Sequence, residues 1–468
     1  MASLYLSAAH KSSGKTTLTI GICAALARQG LRVQPFKKGP DYIDPIWLGL
    51  AADNPCFNLD FFVAGRQETI DDYCHRSQAA DIAIIEGNKG LHDGLDLDGS
   101  NSNAALAKSL GSPVIMVVDA RGTMRGIAPL LIGYQVFDPE VRIAGVIANM
   151  TGGKRHESKL RAAVEHYTDI PFLGAIENNP ALGLSERHLG LIPGYEDPEA
   201  KHKINTIANA IEANIDLEKL IDLAGEAQSV TAAASPLIQK PEFKGLRIGI
   251  ARDRAFGFYY PGDLEAIKQT GAEIINIDTI NDSRLPAIDG LFIGGGFPER
   301  HAAALQANGK LRNSIKNAID CGLPTYAECG GLMYLSEQLQ WQGVCYDMVG
   351  AIPARTTMHD KARGRGYVKL SETRQQHPWP FATLSSDPVY AHEFHYSSLD
   401  GLPASSEFAY QVLRGNGIQQ QRDGFVRGNL LASYTHLRNT ASNPWIKRFL
   451  QFVKIKKSET PANVASAL

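Results

Sequence analysis

A rhythm of short apolar runs set between helix-length amphipathic stretches constrains this chain more than any other feature. Asp81-Ile-Ala-Ile-Ile-Glu86, Val114-Ile-Met-Val-Val-Asp119 and Ala144-Gly-Val-Ile-Ala-Asn149 are such runs. Strands covered by helices on both faces read as continuous apolar segments, so the pattern predicts βαβ units and a parallel sheet. A lower-complexity stretch near Ala224 to Lys244, with Ala232-Ala-Ala-Ser-Pro236 and Lys240-Pro241, interrupts the rhythm. It resumes at Leu246-Arg-Ile-Gly-Ile-Ala251, with further strands expected at Glu273–Ile277, Gly290–Ile293 and Leu323–Ala327. The expectation is an α/β chain of two doubly wound domains, 1–225 and 244–455, joined by a linker over 226–243 and ending in a tail over 456–468. The 468 residues suffice for two large domains of this kind. A final helix is expected after Asn443-Pro444, with Trp445, Ile446, Phe449, Leu450 and Val453 on one face, docked on its own domain.

Composition removes several function classes. The chain has 47 basic and 49 acidic residues, a formal net charge of −2, which argues against coating nucleic acid or anionic lipid as its main work and leaves local basic patches open. Its start, Met1-Ala-Ser-Leu-Tyr-Leu-Ser7, has neither the basic residues nor the long apolar core of a signal peptide. No apolar stretch approaches the roughly 20 residues that span a bilayer, and a cytoplasmic protein is expected. The six cysteines fall at irregular spacings with no Cys-x-x-Cys pair, which disfavours a disulfide framework or structural zinc. Most are expected to be small buried core residues, with Cys329 the exception.

The first chemical motif follows the first strand. Ala9-His-Lys-Ser-Ser-Gly14-Lys15-Thr16-Thr17 leads into the helix-like Leu18-Thr-Ile-Gly-Ile-Cys-Ala-Ala-Leu-Ala27. Lysine at a helix start opposes the macrodipole unless an anion is bound there, so the pattern reads as a P-loop. Backbone N–H groups from Gly14 to Thr17 would cradle phosphates, Lys15 would reach the terminal oxygens, and Thr16 would hold magnesium. Ala9 replaces the usual first glycine. Downstream, Pro35-Phe-Lys37-Lys38-Gly39-Pro40-Asp41-Tyr42-Ile43-Asp44-Pro45 combines a lysine pair, a turn and two carboxylates. Glu86 closes its strand and opens the loop Gly87-Asn-Lys-Gly90-Leu-His-Asp93-Gly94. Carboxyl ends of parallel strands line the ligand crevice, so Glu86 is expected to face the phosphates. Asp119 and Asn149 end later strands, where a purine-contacting amide and a simple cap are both open for Asn149.

The second chemical motif is Leu323-Pro-Thr-Tyr-Ala-Glu-Cys329-Gly-Gly-Leu-Met-Tyr-Leu335, a strand, a tight turn at cysteine and a helix. Such an elbow presents the side chain at the turn, and small neighbours permit the close strand-to-helix approach. A helix N-terminus favours the thiolate, making Cys329 the expected nucleophile. Backbone N–H groups of Gly294-Gly295-Gly296 are candidates for an oxyanion hole. The base is sought among His392, His395 and His436, and spacing does not choose among them.

Together these segments resemble the cobyrinic acid a,c-diamide synthases, glutamine-dependent amidoligases that join a dethiobiotin-synthetase-like ATPase domain to a class I glutaminase-like domain. The resemblance spans nearly the whole chain. It rests on Lys38-Gly-Pro-Asp-Tyr-Ile-Asp-Pro45, the loop from Glu86-Gly87, Glu186-Arg-His-Leu-Gly-Leu191, Ala251-Arg-Asp-Arg-Ala-Phe-Gly-Phe-Tyr-Tyr260, Gly294-Gly-Gly-Phe-Pro-Glu299, Tyr326-Ala-Glu-Cys-Gly-Gly-Leu-Met-Tyr334 and His392-Glu-Phe-His-Tyr-Ser397. P-loops of this group also lack the first glycine. The resemblance implies that Cys329 attacks L-glutamine with help from His436, with Gly295 and Gly296 near the oxyanion. It implies use of ATP and Mg²⁺ to phosphorylate a tetrapyrrole carboxylate, which ammonia then converts to an amide in cobalamin biosynthesis. Lys15 and Thr16 would handle phosphates and magnesium, Asn149 would contact adenine, and Thr16, Asp44 and Glu86 would hold metal. Lys37, Asp41, Asp44 and Glu86 would position the substrate carboxylate. A homodimer is compatible with this reading, and neither nucleic acid nor membrane is expected as a partner.

Four features bear on these expectations. Class I glutaminases carry a glutamate two positions after the histidine, where this chain has Arg438; the resembled family shares the lack, so a Cys–His pair without the usual third member is expected. The loop after Glu86 commonly reads Gly-Val-Met-Gly-Leu-Tyr-Asp-Gly, whereas this chain has Gly87-Asn-Lys-Gly-Leu-His-Asp-Gly94, and it also carries His10-Lys11 and the doubled Lys37-Lys38. Such polar changes admit siroheme or a metal sirohydrochlorin as the acceptor. A partition-type ATPase switch would explain the P-loop but leaves the Cys329 elbow without a purpose.

Overall fold

The computed structural model describes residues 1–184, 186–187, 190–233, 241–373, 379 and 387–459. Contacts divide the chain into two units, Met1–Phe61 with Gly65–Pro236, and Phe62–Ala64 with Leu237–Leu468. Residues 234–240 of the expected linker, 460–468 of the expected tail, and His188 and Leu189 of the Glu186-to-Leu191 motif lie outside the described residues.

In the first unit the elements run β1 (Ala2–Ala8), α1 (Lys15–Arg28), β2 (Val33–Lys38), α2 (Ile43–Ala52), β3 (Phe57–Leu59), α3 (Arg66–Ser77), β4 (Ile82–Glu86), α4 (Asn103–Ser109), β5 (Val114–Asp119), α5 (Ile127–Phe137), β6 (Ile143–Thr151), α6 (Lys154–Tyr167) and β7 (Phe172–Glu177). A ribbon of β8 (Glu186–Arg187) and β9 (Gly190–Leu191) and the helices α7 (Ala200–Asn214) and α8 (Leu217–Gly225) complete it. The seven long strands form one sheet in the order β3-β2-β4-β1-β5-β6-β7, every pair parallel. Alternate residues of β1 feed different cores: Leu4, Leu6 and Ala8 pack with Leu18, Ile22 and Ile207, while Tyr5 packs with Ile85, Met116 and Val118. Burial on both faces is why these strands read as unbroken apolar runs. Each fully buried leucine or isoleucine contributes about 1.5–3 kcal/mol before entropy is counted. Placing β1 at the centre sets the segments after β1 and β4 side by side at the carboxyl ends, where an open α/β sheet holds its ligand.

The second unit contains β10 (Arg247–Ala251), β11 (Phe256–Phe258), α9 (Pro261–Gln269), β12 (Glu273–Ile277), β13 (Gly290–Ile293), β14 (Gly295–Gly296), α10 (Ala302–Ala307), α11 (Gly309–Asp320), β15 (Thr325–Glu328) and α12 (Gly330–Leu335). Next come β16 (Ser336–Trp341), β17 (Val344–Asp347), β18 (Ile352–Met358), β19 (Gly364–Glu372), β20 (Val389–His395), β21 (Ser397–Asp400), β22 (Glu407–Arg414), β23 (Arg422–Arg427), β24 (Leu430–Ser433) and α13 (Trp445–Glu459). Its large sheet has the order β12-β10-β13-β15-β24-β23-β22-β19-β20. Pairing is parallel from β12 to β24 and antiparallel beyond it, so the doubly wound part carries an antiparallel extension. The strand expected from Leu323 starts at Thr325, after Pro324, which has no N–H to give to a ladder.

The terminal helix α13 buries Trp445, Ile446, Phe449, Leu450, Phe452 and Val453 against its own unit. All six thiols are free, but the expectation that most are buried fails. Cys23, Cys56 and Cys329 are buried, Cys74 is half-buried, and Cys321 and Cys345 are exposed. Cys321 follows α11 on the surface, and Cys345 lies on the edge strand β17. No helix among the described residues is long and apolar enough to cross a membrane.

Candidate functional site

In the first unit the loop between β1 and α1 turns at Ser12 (φ 64°) and Gly14 (φ 81°). A Cβ on Gly14 would stand 2.1 Å from Asn149 Nδ2, so only glycine fits the position. The strand expected to close at Asn149 runs on to Thr151 as β6; Asn149 is buried within it and donates from Nδ2 to the Ser13 carbonyl at 2.9 Å. It therefore braces the loop itself. Lys15 is buried and donates to the Lys89 carbonyl at 2.7 Å, which ties the loop after β4 to the loop after β1. Burial lowers its pKa, against the opposing charge of Glu86. Thr17 follows Thr16 in the first turn of α1.

Thr16 donates its hydroxyl to Glu86 Oε1 at 2.7 Å and to Asp44 Oδ2 at 3.3 Å. Lys37 Nζ bridges the same two carboxylates, 2.5 Å from Asp44 and 2.8 Å from Glu86. Sequence reasoning set Lys37 toward a substrate; the structure holds it buried between Asp44 and Glu86. Glu86 is wholly buried, and desolvation raises its pKa despite Lys37. Its Oε2 has no hydrogen-bond partner among the described residues. Asp41 accepts from the backbone N–H groups of Ile43 at 2.9 Å and Asp44 at 3.2 Å, closing the first turn of α2. Burial and then the Asp44 charge raise its pKa to about 7. Lys38 donates to the Asn101 carbonyl and side chain, and burial lowers its pKa to about 8. Among the described residues no three His, Cys, Asp or Glu side chains gather to hold a metal unaided. Thr16, Asp44 and Glu86 form an oxygen-only set with two carboxylates, which suits a hard cation that takes its remaining ligands from phosphate and water.

In the second unit the triglycine, the cysteine and one histidine follow three neighbouring parallel strands, β13, β15 and β24. Cys329 holds φ 47° and ψ −100°, a backbone conformation rarely tolerated outside glycine, and donates its N–H to the Ser433 carbonyl at 2.7 Å. A Cβ on Gly331 would fall 2.2 Å from the Ile293 carbonyl oxygen, so the close strand-to-helix approach requires glycine there. The helix α12 spans only Gly330–Leu335, and its dipole is correspondingly short; the cation beside the thiol is a histidine.

That histidine is His436. It is buried and hydrogen-bonded to the Cys329 side chain, and its Nδ1 lies 3.4 Å from Glu328 Oε2. Burial alone would lower its pKa, but the bonds to Cys329 and Glu328 and their charges outweigh burial and raise it to about 10. His392 stacks on His436 with ring centroids 4.9 Å apart and lies 3.2 Å from the Tyr260 hydroxyl. His395 stacks on Tyr434 at 3.8 Å and bonds the Ser397 carbonyl at 2.8 Å. Of the three histidines left open by the sequence, the structure brings His436 to the thiol. A Cβ on Gly295 would lie 2.7 Å from His436 Cε1, and one on Gly330 would lie 2.9 Å from the Gly296 nitrogen, so the Gly295–Gly296 backbone runs along the elbow.

Sequence reasoning missed Glu328. It ends β15 with 2 % exposure and accepts from the Tyr326 hydroxyl at 2.7 Å and the Leu437 N–H at 2.8 Å. Arg438 stands at the usual third position, and a different carboxylate, Glu328, lies beside His436. The signal available was a glutamate closing a buried strand one position before the cysteine.

Comparison with known proteins accords with this arrangement. Residues 8–191 match the CobQ/CobB/MinD/ParA nucleotide binding domain, and residues 247–444 match the CobB/CobQ-like glutamine amidotransferase domain. The cobyrinate a,c-diamide synthase of Magnetococcus marinus is 44% identical over 96% of this chain and 96% of its own. The same-named proteins of Methanosarcina acetivorans and Archaeoglobus fulgidus are 40% and 37% identical, over 93% and 95% of this chain and 92% and 96% of theirs. A two-domain pattern shared at that identity over nearly the entire length, with a nucleotide-binding unit followed by an amidotransferase unit, means that the chain belongs to the cobyrinate a,c-diamide synthase family.

Proposed function

We propose that this protein is a glutamine-dependent amidoligase that converts the a and c carboxylates of cobyrinate to amides in cobalamin biosynthesis, with ATP as the activating substrate. The observation that carries this reading is the Cys329–His436 contact at the ends of β15 and β24, in a chain whose other unit turns Gly14-Lys15-Thr16 toward Glu86 and Asp44. A thiol site without a nucleotide loop would be a glutaminase alone, and a nucleotide loop without the thiol would be an ATPase alone.

The chemistry follows from these groups. The Cys329 sulfur attacks the carboxamide carbon of glutamine while the backbone at Gly295 and Gly296 faces the developing oxyanion. His436, beside the thiol, holds the proton that the departing ammonia needs. Water then releases glutamate from the thioester. In the first unit, backbone N–H groups at Gly14 to Thr17 and the ammonium of Lys15 bind the phosphates of ATP. Thr16, Asp44 and Glu86 would hold Mg²⁺, which supplies charge neutralisation on the phosphate oxygens. The γ-phosphoryl group passes to a carboxylate oxygen of the substrate, ADP leaves, and ammonia attacks the acyl carbon with inorganic phosphate as the leaving group. This activation is needed because a carboxylate is a poor electrophile. Lys37 fixes Asp44 and Glu86 in place, and Asp41 fixes the start of α2 on which Asp44 sits.

The test is product stoichiometry. Wild-type protein with glutamine, ATP, Mg²⁺ and cobyrinate is expected to release one glutamate and one ADP per amide formed, and Cys329→Ala is expected to lose glutamate release while still ligating with ammonium chloride. ADP formation indifferent to cobyrinate and to either nitrogen source would overturn the reading.

A further inference from the structure

The strand end that carries the nucleophile also carries a carboxylate with no role in the reading above. Glu328 is buried, precedes Cys329, and points Oε2 at His436 Nδ1 across 3.4 Å, while its Oε1 is fixed by the Tyr326 hydroxyl and the Leu437 N–H. Two donors on one oxygen lock the carboxylate, and one of those donors is the backbone of the residue that follows His436. Strand and histidine loop are therefore pinned to the same oxygen. The position two residues after His436, Arg438, is cationic and has its guanidinium over the Tyr260 ring at 5.6 Å.

From this geometry we infer that Glu328 is the positioning residue of the thiol site. It orients the His436 ring through Nδ1 and stabilises the imidazolium that forms when the thiol gives up its proton. The arrangement places the third group on the nucleophile's own strand rather than on the histidine's. A carboxylate one residue before the nucleophile reaches the imidazole because β15 and β24 are parallel neighbours, with Glu328 paired to Ser433 in register and His436 just beyond. The electrostatic consequence is directional. Negative charge at Nδ1 favours protonated His436, and protonated His436 favours the Cys329 thiolate. The inference rests on the glutaminase reading of Cys329 and His436, and its test separates the two.

The decisive variant is Glu328→Gln, which keeps an oxygen for Tyr326 and Leu437 and removes only the charge. Three readouts are taken on the full-length protein: glutamate release, ammonium-dependent ligation, and the pH profile of Cys329 alkylation by iodoacetamide, followed by mass spectrometry of the Cys329 peptide. In serine enzymes, loss of the orienting carboxylate costs about 10⁴-fold in turnover; a thiol is more acidic and depends on it less, so glutamate release is expected to fall about 10-fold to 100-fold. The alkylation midpoint is expected to move up by about one pH unit, which is about tenfold less thiolate below the midpoint. Ammonium-dependent ligation is expected within about twofold of wild type. Unchanged glutamate release and an unmoved alkylation profile would overturn the inference, as would a slower rate at every pH with an unmoved midpoint, the signature of mere structural damage. If Glu328→Gln does not fold, Glu328→Asp decides by the same criterion, because shortening the side chain by one methylene withdraws the charge from Nδ1 while keeping it. An alkylation midpoint moved upward supports the inference, and an unmoved one refutes it. Failure of the glutaminase reading would look different: wild-type protein would release glutamate no faster than Cys329→Ala.

Discussion

Replacing Gly14 by alanine tests the nucleotide loop through a single atom. The substitution meets two costs. At φ 81° an alanine sits in the left-handed region, at about 1–2 kcal/mol. Its Cβ would also stand 2.1 Å from Asn149 Nδ2, a contact no structure retains, so Asn149 must swing away and give up its buried bond to the Ser13 carbonyl. Losing that bond in a buried setting costs about 1–3 kcal/mol. The sum, about 2–5 kcal/mol, falls on the loop conformation that binds phosphates, and at 1.4 kcal/mol per decade it predicts an ATP affinity weakened about 30-fold to 4,000-fold. Titration with a fluorescent ATP analogue measures it, with the ATP-independent release of glutamate as a control that stays within about twofold. A double-mutant cycle separates the steric cost from the backbone cost. With Asn149→Ala already in place, Gly14→Ala loses its clash, and only the backbone cost, about tenfold in affinity, remains. An equal loss of affinity in both backgrounds would refute the steric argument, and no loss in either would remove the loop from nucleotide binding.

Two further outcomes follow from the second unit. Gly331→Ala drives a methyl toward the Ile293 carbonyl at 2.2 Å and is expected to abolish glutamate release and lower the unfolding midpoint of that unit, with ammonium-dependent ligation retained; normal glutamate release would show that α12 can draw back from β13 without disturbing Cys329. His436 holds its proton up to about pH 10 in the folded chain and to about 6.5 when unfolded. Its contribution to stability is therefore complete below about pH 6.5 and is lost as pH rises through about 10. Urea unfolding followed by tryptophan fluorescence, to which Trp341, Trp379 and Trp445 of the second unit contribute, should show that decline in wild type and lose it in His436→Gln. Parallel curves for the two proteins between pH 6 and 10 would contradict the assignment of the raised value to this contact.

Much of this was legible in the sequence because the local pattern and the global fold agree. Strands buried on both faces are written as apolar runs, and Gly14-Lys15-Thr16 and Cys329-Gly-Gly331 sit at strand ends, where a parallel sheet collects its functional groups. Glu86, which closes β4, was readable for the same reason, whereas Asp44 lies in the first turn of α2. Pairings between strands distant in sequence were not readable. Nothing local says that β15 lies beside β24, and without that neighbour relation Glu328 is one more glutamate and His436 is one of three candidates. The surroundings of Lys37 depend on the same kind of relation, because β2 and β4 are adjacent and set its ammonium between Asp44 and Glu86. The antiparallel extension from β24 to β20 was equally invisible, since nothing local says that β22 lies beside β19.

The measurement closest to the central claim is mass spectrometry of the acceptor after incubation with ATP, Mg²⁺ and glutamine, with cobyrinate, siroheme and sirohydrochlorin offered in parallel. Each carboxylate converted to an amide by activated acyl transfer lowers the mass by about one dalton. The account predicts two such losses on cobyrinate, dependent on Cys329 with glutamine and independent of it with ammonium. Amidation confined to siroheme or sirohydrochlorin, or no amide on any acceptor, would contradict it.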